Sequence, residues 1–258
     1  MKYGVQMYGL NPIFLQDKEE FLRRITAAGY CCVEPCLAFE SIPGLEDRLW
    51  LPSDFAENRS LLQKYQVEIC SCHVFTKDLA GDLERLISFA GEYGIAQLVL
   101  PCPVIAGEEE GHEWAEKLMT AADVLRGHGI ELLLHNDRAD SALRADGMSS
   151  YEWLLRFCGG KVSAQADTGW LIHGGTDPEA FLLRNEKIVR SLHYKDMEKT
   201  ENGMREIGIG RGIVDMPACF RFARGAGIVQ IADQDGSRGD FMDDLDFVAE
   251  KLRELSRA

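Results

Sequence analysis

The sequence is short of positive charge: 28 lysines and arginines stand against 42 aspartates and glutamates, a formal net charge of -14. A protein that binds a phosphate backbone needs a basic surface, and attachment to anionic membranes needs the same sign of charge. Nucleic acid and membrane are therefore not expected as partners. A small anionic substrate stays open, because a pocket can be locally positive in an acidic protein. No apolar run approaches the roughly 18 residues that would suggest a membrane span. The opening Met1–Met7 reads directly into a strand and carries no leader pattern, so the expected location is cytoplasmic. No Gly-x-Ser-x-Gly elbow, Walker loop or dinucleotide fingerprint is present.

Cysteine is present but not in a metal or redox spacing. Cys70-Ser71-Cys72 alternates within one predicted strand, so it is not a Cys-x-x-Cys motif. All eight cysteines read as buried, reduced thiols of a cytosolic protein. Proline- and serine-rich linkers are also missing. At 258 residues the chain suits one barrel or two smaller domains, and without a linker a single domain over 1–258 is expected.

What the chain does have is alternation. Short apolar runs occur at Tyr3–Tyr8, Cys32–Cys36, Val67–Phe75, Gln97–Cys102, Ile130–His135, Val162–Asp167, Ile188–Tyr194 and Ile228–Asp233. Between them apolar residues recur at three- and four-residue spacing, as in Leu79, Leu83, Leu86, Ile87 and Ala90, which marks amphipathic helices. Gly29, Gly94, Gly129, Gly159-Gly160 and Gly227 close helical patterns just before a strand, where a left-handed residue is expected. Eight such units predict an α/β fold, a single (β/α)8 barrel. A doubly wound open sheet would place a glycine-rich phosphate loop after its first strand, and Tyr8-Gly9-Leu10-Asn11-Pro12 is not one. The long stretch from Leu37 to Pro52 reads equally as a binding loop or as a packed structural one.

Four apolar runs in the second half end in residues of metal-binding type. His135-Asn136-Asp137 follows three leucines; Asp167 ends the sixth run; His193-Tyr194-Lys195-Asp196 ends the seventh; Asp233-Gln234-Asp235 ends the eighth. In a barrel all such ends open on one mouth, where barrel enzymes keep their active sites. Each residue has a plainer reading: an Asp can cap the following turn, a His can sit in the core and a Lys on the surface. Their convergence points instead to one divalent ion held by His135, Asp167, His193 and Asp233. Along a strand His193 and Lys195 share a side, which places Lys195 to contact a substrate oxygen. His73 either lines the same mouth or packs in the core. Trp170, Asp235 and Arg138 are further candidates for contact with substrate. Arg205, Arg211 and Arg238 lie in loops on the same face, binding an anion or offsetting nearby acids. Gly208-Ile209-Gly210-Arg211-Gly212 is either a phosphate cradle or a plain turn. Glu108-Glu109-Glu110 reads as a dipole-favoured helix start.

These residues resemble the sugar phosphate isomerase/epimerase group, the xylose isomerase-like or AP-endonuclease-2-like barrels. The resemblance spans nearly the whole chain and is densest from Ile130 to Gly236. It is carried by Asp167-Thr168-Gly169-Trp170, His193-Tyr194-Lys195-Asp196, Gly208-Ile209-Gly210 and Asp233-Gln234-Asp235. It implies a (β/α)8 barrel with one divalent metal at its mouth, manganese first, with zinc, cobalt, iron and magnesium as alternatives. Asp167 and His193 match the family's ligand positions. Asp233 and His135 stand where many members carry glutamate. The resemblance implies an isomerase or epimerase of a small sugar or keto-sugar, working through an enediolate. In that chemistry Asp233 or His135 moves the proton and Lys195 steadies the charged oxygen. Expulsion of a β-substituent from the same intermediate makes a lyase or dehydratase. A sugar-binding barrel without catalysis is the rival from another class, and a homo-oligomer is compatible with either. An AP endonuclease needs more ligands than six histidines readily supply, and a basic groove.

Overall fold

The computed structural model describes residues 2–140, 147–236 and 241–257. Arg238, one of the arginines weighed above, lies outside the described residues. Twelve strands are found among the described residues: β1 (Tyr3–Gln6), β2 (Cys32–Glu34), β3 (Cys36–Ala38), β4 (Glu68–Ile69), β5 (Cys72–Phe75) and β6 (Gln97–Pro101), then β7 (Glu131–His135), β8 (Ser163–Asp167), β9 (Val189–Tyr194), β10 (Asp196–Thr200), β11 (Gly203–Ile207) and β12 (Val229–Ala232). Ten of them form one curled parallel sheet in the order β3-β5-β6-β7-β8-β9-β12-β1-β2-β4. The first and last strands of the chain pair directly, Gly4 opposite Ile231. Helices such as Leu79–Tyr93 and Glu108–Arg126 pack against it with the faces that the three- and four-residue spacing marks out.

Two runs read as continuous are each divided. Pro35, with no backbone N–H to donate, interrupts the second run between β2 and β3. The third divides at Cys70-Ser71 between β4 and β5. The first run ends earlier than its apolar pattern does, because a helix over Met7–Gln16 starts at once after Gln6. A hairpin, β10 antiparallel to β11, follows β9 where sequence periodicity suggested only a loop.

The stretch after β3 proves to be packed structure. Leu37 bridges to Trp50, and the Trp50 indole donates to Asn11 Oδ1 at 2.6 Å while stacking on Phe14. All eight thiols are free; six are buried, and Cys31 and Cys70 are half-buried rather than buried. A Cβ on Gly9 would fall 1.8 Å from the backbone oxygen of Gln234. Only glycine lets the first helix approach this closely the loop that carries Asp233 and Asp235.

Candidate metal centre at the strand ends

Because the large sheet is parallel, the carboxyl ends of its strands share one mouth. β7 ends in His135 and β8 in Asp167; β9 carries His193 next to its end; Asp233 follows β12. Register brings them level: Asp167 is paired with His193, and His193 with Ile231. One donor atom from each of His135, Asp167, His193 and Asp233 lies within 4.8 Å of every other, and all four residues are buried. His135 Nε2 is 3.2 Å from His193 Nδ1 and 3.8 Å from Asp167 Oδ2. His193 Nδ1 is 3.0 Å from Asp233 Oδ2.

Two carboxylate oxygens in this group, Asp167 Oδ2 and Asp233 Oδ1, are buried with no hydrogen-bond partner. A buried charged oxygen left without a partner is costly. Two of them beside two imidazoles fit a divalent cation, which accepts mixed nitrogen and oxygen ligands. The other face of Asp167 is used locally: its Oδ1 accepts from the N–H of Trp170 at 2.8 Å, capping the short helix Thr168–His173. The capping and ligand readings of this residue are thus compatible, one oxygen for each.

A residue the sequence reading passed over organises the histidines. Glu34, the last residue of β2, is fully buried. Its Oε1 is 2.7 Å from His193 Nε2 and 3.2 Å from His73 Nε2. Its Oε2 accepts from Gln165 Nε2 at 2.7 Å and from the Ser71 hydroxyl. Were a cation to displace the Nδ1 proton, the proton kept on His193 Nε2 by Glu34 would leave the Nδ1 lone pair pointing into the cluster. The signal was there to be read, since Glu34 is an acid near the end of an apolar run, but Pro35-Cys36 continues that run and hides it. His73 lies in this network, with Nε2 2.7 Å from Gln165 Oε1, and also lines the cavity at the mouth.

The electrostatics follow from burial competing with neighbours. Burial lowers His193, but Glu34 and Asp233 outweigh it and raise the imidazole to about 10. His135 is held neutral by burial, reinforced by His193 and His73. Burial would raise Asp233, yet Lys195 and His193 hold its carboxyl below the usual carboxylate range. Asp167 moves the other way, raised by burial that Lys195 only partly offsets. Lys195 stays an ammonium: burial lowers it, but Asp233, Asp235 and Glu206 together raise it further. Its Nζ is 3.3 Å from Asp233 Oδ2 and 2.5 Å from Asp235 Oδ2.

Glu206, at the end of the unforeseen hairpin, is a second residue the sequence did not mark. Its Oε1 accepts from the Asp235 N–H at 2.8 Å, and Oε2 is 3.8 Å from Lys195 Nζ. Burial raises it to about 7, with Lys195 pulling the other way. A cavity of about 160 Å³ opens above the cluster, lined in part by Tyr8, His73, His135, Trp170, Asp233 and Asp235. The Trp170 ring lies 5.5 Å from Lys195 Nζ. Arg138 is not among the lining residues; it is exposed on the turn after β7, its backbone N–H donating to Asp137 Oδ1. The glycine-rich run is no open phosphate cradle, because the N–H groups of Gly210, Gly212 and Val214 all donate to the Asp196 carboxylate.

Comparison with known proteins bears on the fold. The family profile for xylose isomerase-like TIM barrels matches residues 22–250. A sugar phosphate isomerase/epimerase from Parabacteroides distasonis superposes with a TM-score of 0.78 at 20% identity, over 98% of this chain and 93% of its own. The probable 3-DHS dehydratase AsbF from Bacillus anthracis gives a TM-score of 0.74 at 15% identity, over 98% and 99%. The IOLI protein, solved with a bound zinc atom, gives 0.67 at 14% identity over 99% and 96%. These likenesses are of fold. No curated protein matches the chain in sequence.

Proposed function

Since the chain belongs to the xylose isomerase-like TIM barrel family, we propose that it is a metal-dependent isomerase or epimerase of a small sugar or keto-sugar, acting through an enediolate. Counting β2 with β3 and β4 with β5 as single interrupted strands turns the large sheet into the eight strands of a (β/α)8 barrel. The observation that carries the proposal is the meeting of four donors from four strands, two of them keeping a buried carboxylate oxygen without a hydrogen-bond partner, beneath a small cavity. His135, Asp167, His193 and Asp233 are the proposed ligands. A divalent cation there would polarise a carbonyl and acidify the neighbouring C–H; two imidazoles with two carboxylates suit manganese or zinc better than magnesium, which prefers oxygen ligands.

The chain's own groups supply the rest. Lys195, kept charged by the acids around it, donates to the oxygen that gains negative charge as the proton leaves. Asp233 is the proposed base: with Oδ1 given to the cation, its other carboxylate oxygen, Oδ2, is left to take the proton. Its short side chain must come within about 3 Å of the proton it takes. His135, neutral by burial, serves as a nitrogen ligand and is the alternative proton carrier. His73, Trp170 and Asp235 hold the substrate. Arg138 reaches it only from the rim. Glu206, poised near neutrality, supports a second outcome, in which an acid protonates a β-substituent as it departs and the enzyme acts as a lyase.

Asp167→Asn tests the assignment. Bound metal, measured by mass spectrometry on protein purified without chelators, is expected to fall below a tenth of the wild-type content. Solvent deuterium incorporation into a panel of keto-sugars is expected to fall with it. Full metal content and full exchange in that variant would sink the reading.

A further inference from the structure

Resting on that reading of the site, we infer that the substrate is an uncharged short-chain polyhydroxy carbonyl compound and that its phosphate ester is rejected. Three observations, each on a different part of the mouth, carry this.

The first concerns the element that most resembles a phosphate site. The run Gly208–Gly212 presents backbone N–H groups as such loops do. Here Asp196, the residue that opens the hairpin, has taken them: Gly210 and Gly212 donate to its Oδ2 at 2.9 Å each, and Val214 to its Oδ1 at 3.0 Å. A carboxylate from the chain sits where an anionic ligand would have to sit.

The second concerns the cavity wall. Asp137, Asp233 and Asp235 line it, with Glu206 behind Asp235. Lys195 is the buried cation at the centre, and its Nζ already lies within 4.0 Å of Asp233, Asp235 and Glu206. With Asp233 given to the cation, a phosphate brought here still meets like charge from Asp235 in the wall and from Asp137 at the exposed rim. A hydroxyl meets acceptors it can donate to.

The third concerns the arginines on this face. Arg205 is paired with Glu198 on its own hairpin and Arg211 with Asp244. Arg48, beside Tyr8, donates to the Tyr8 carbonyl and lies 3.8 Å from Asp47. Neither these three guanidiniums nor Arg138, exposed at the rim, is among the residues lining the cavity, where a phosphate is usually clamped by Arg. A cavity of about 160 Å³ suits a short polyol.

The test is calorimetric binding to manganese-loaded protein and to the protein as purified, with metal content measured on each sample. The probes are dihydroxyacetone, D-xylulose and D-fructose, each beside its terminal phosphate ester. At least one neutral sugar is expected to bind, at least tenfold more tightly than its own ester. Asp137→Arg, a change at the rim, is expected to narrow that ratio at least threefold. A phosphate binding as tightly as its parent, or no binding by any probe, overturns the inference. An unchanged ratio in Asp137→Arg overturns the acidic wall as its cause. Metal retained with phosphates preferred defeats only this inference, whereas protein that never holds metal defeats the reading beneath it.

Discussion

Asp196 and Asp167 are both fully buried carboxylates at the same mouth, yet they are solved in opposite ways. Asp196 accepts from four backbone N–H groups, those of Met197, Gly210, Gly212 and Val214. Asp167 spends one oxygen on the Trp170 N–H and leaves the other bare. A carboxylate that the backbone surrounds is holding the fold together. One that the fold surrounds with imidazoles and then leaves half-satisfied is held ready for something else. The same glycine run that suggested a ligand site from sequence belongs to the first kind.

The sharpest way to break this comparison is to remove each carboxylate and measure stability without metal. Asp196→Ala strands four donors, three of them from the loop, and is expected to destabilise by about 3 kcal/mol in urea unfolding. Asp167→Asn keeps an acceptor for Trp170 while removing a carboxyl that burial already pushes towards its neutral form. It is expected to leave metal-free stability unchanged or to raise it by about 1 kcal/mol. Equal losses at the two positions would erase the distinction. An effect between these two is expected at Glu34→Gln, which weakens the grip on His193 Nε2 but touches no proposed ligand oxygen. Metal affinity should fall about 10- to 100-fold, read by competition with a chelating dye, with the folded content intact by circular dichroism.

A further prediction concerns pH. Glu206 ionises in the unfolded chain near 4.5 and in the folded protein near 7. Between those values the folded state holds a proton that the unfolded state has lost, so stability falls as pH rises through the window and levels off above it. Glu206→Gln should flatten that part of the profile of Tm against pH. A profile with the same slope in variant and parent would show that Glu206 does not titrate there.

Much of this mouth could be read in the sequence because each side chain sits where an apolar run stops. His135, Asp167, His193 and Asp233 were all marked by that one signal, and register brings them together. Glu34 carries the same signal, obscured by the apolar residues beyond Pro35. Gln165 carries none, since a glutamine inside a buried strand declares its partners only in three dimensions. The β10–β11 hairpin was missed because Asp196–Thr200 and Gly203–Ile207 are polar and partly exposed, with no apolar alternation to announce them. Glu206 was missed with it. The fate of the glycine run was likewise hidden, because its occupant lies 14 residues upstream and nothing local distinguishes a filled cradle from an open one.

The pairing of β1 with β12 also sets the order in which the molecule can be made. The groups that meet at His193 come from as far apart in the chain as Glu34 and Asp233, and ring closure must bring together segments separated by most of the sequence. Contacts of such long range are slow to form, because the entropy of closing the loop is lost before any of them can stabilise the chain. During synthesis the earlier strands therefore wait with an unsatisfied edge and an incomplete ligand set until residues near 233 have been made. A metal taken by the four donors would be captured at the end of folding, after a period in which the unpaired strand edge is exposed to aggregation.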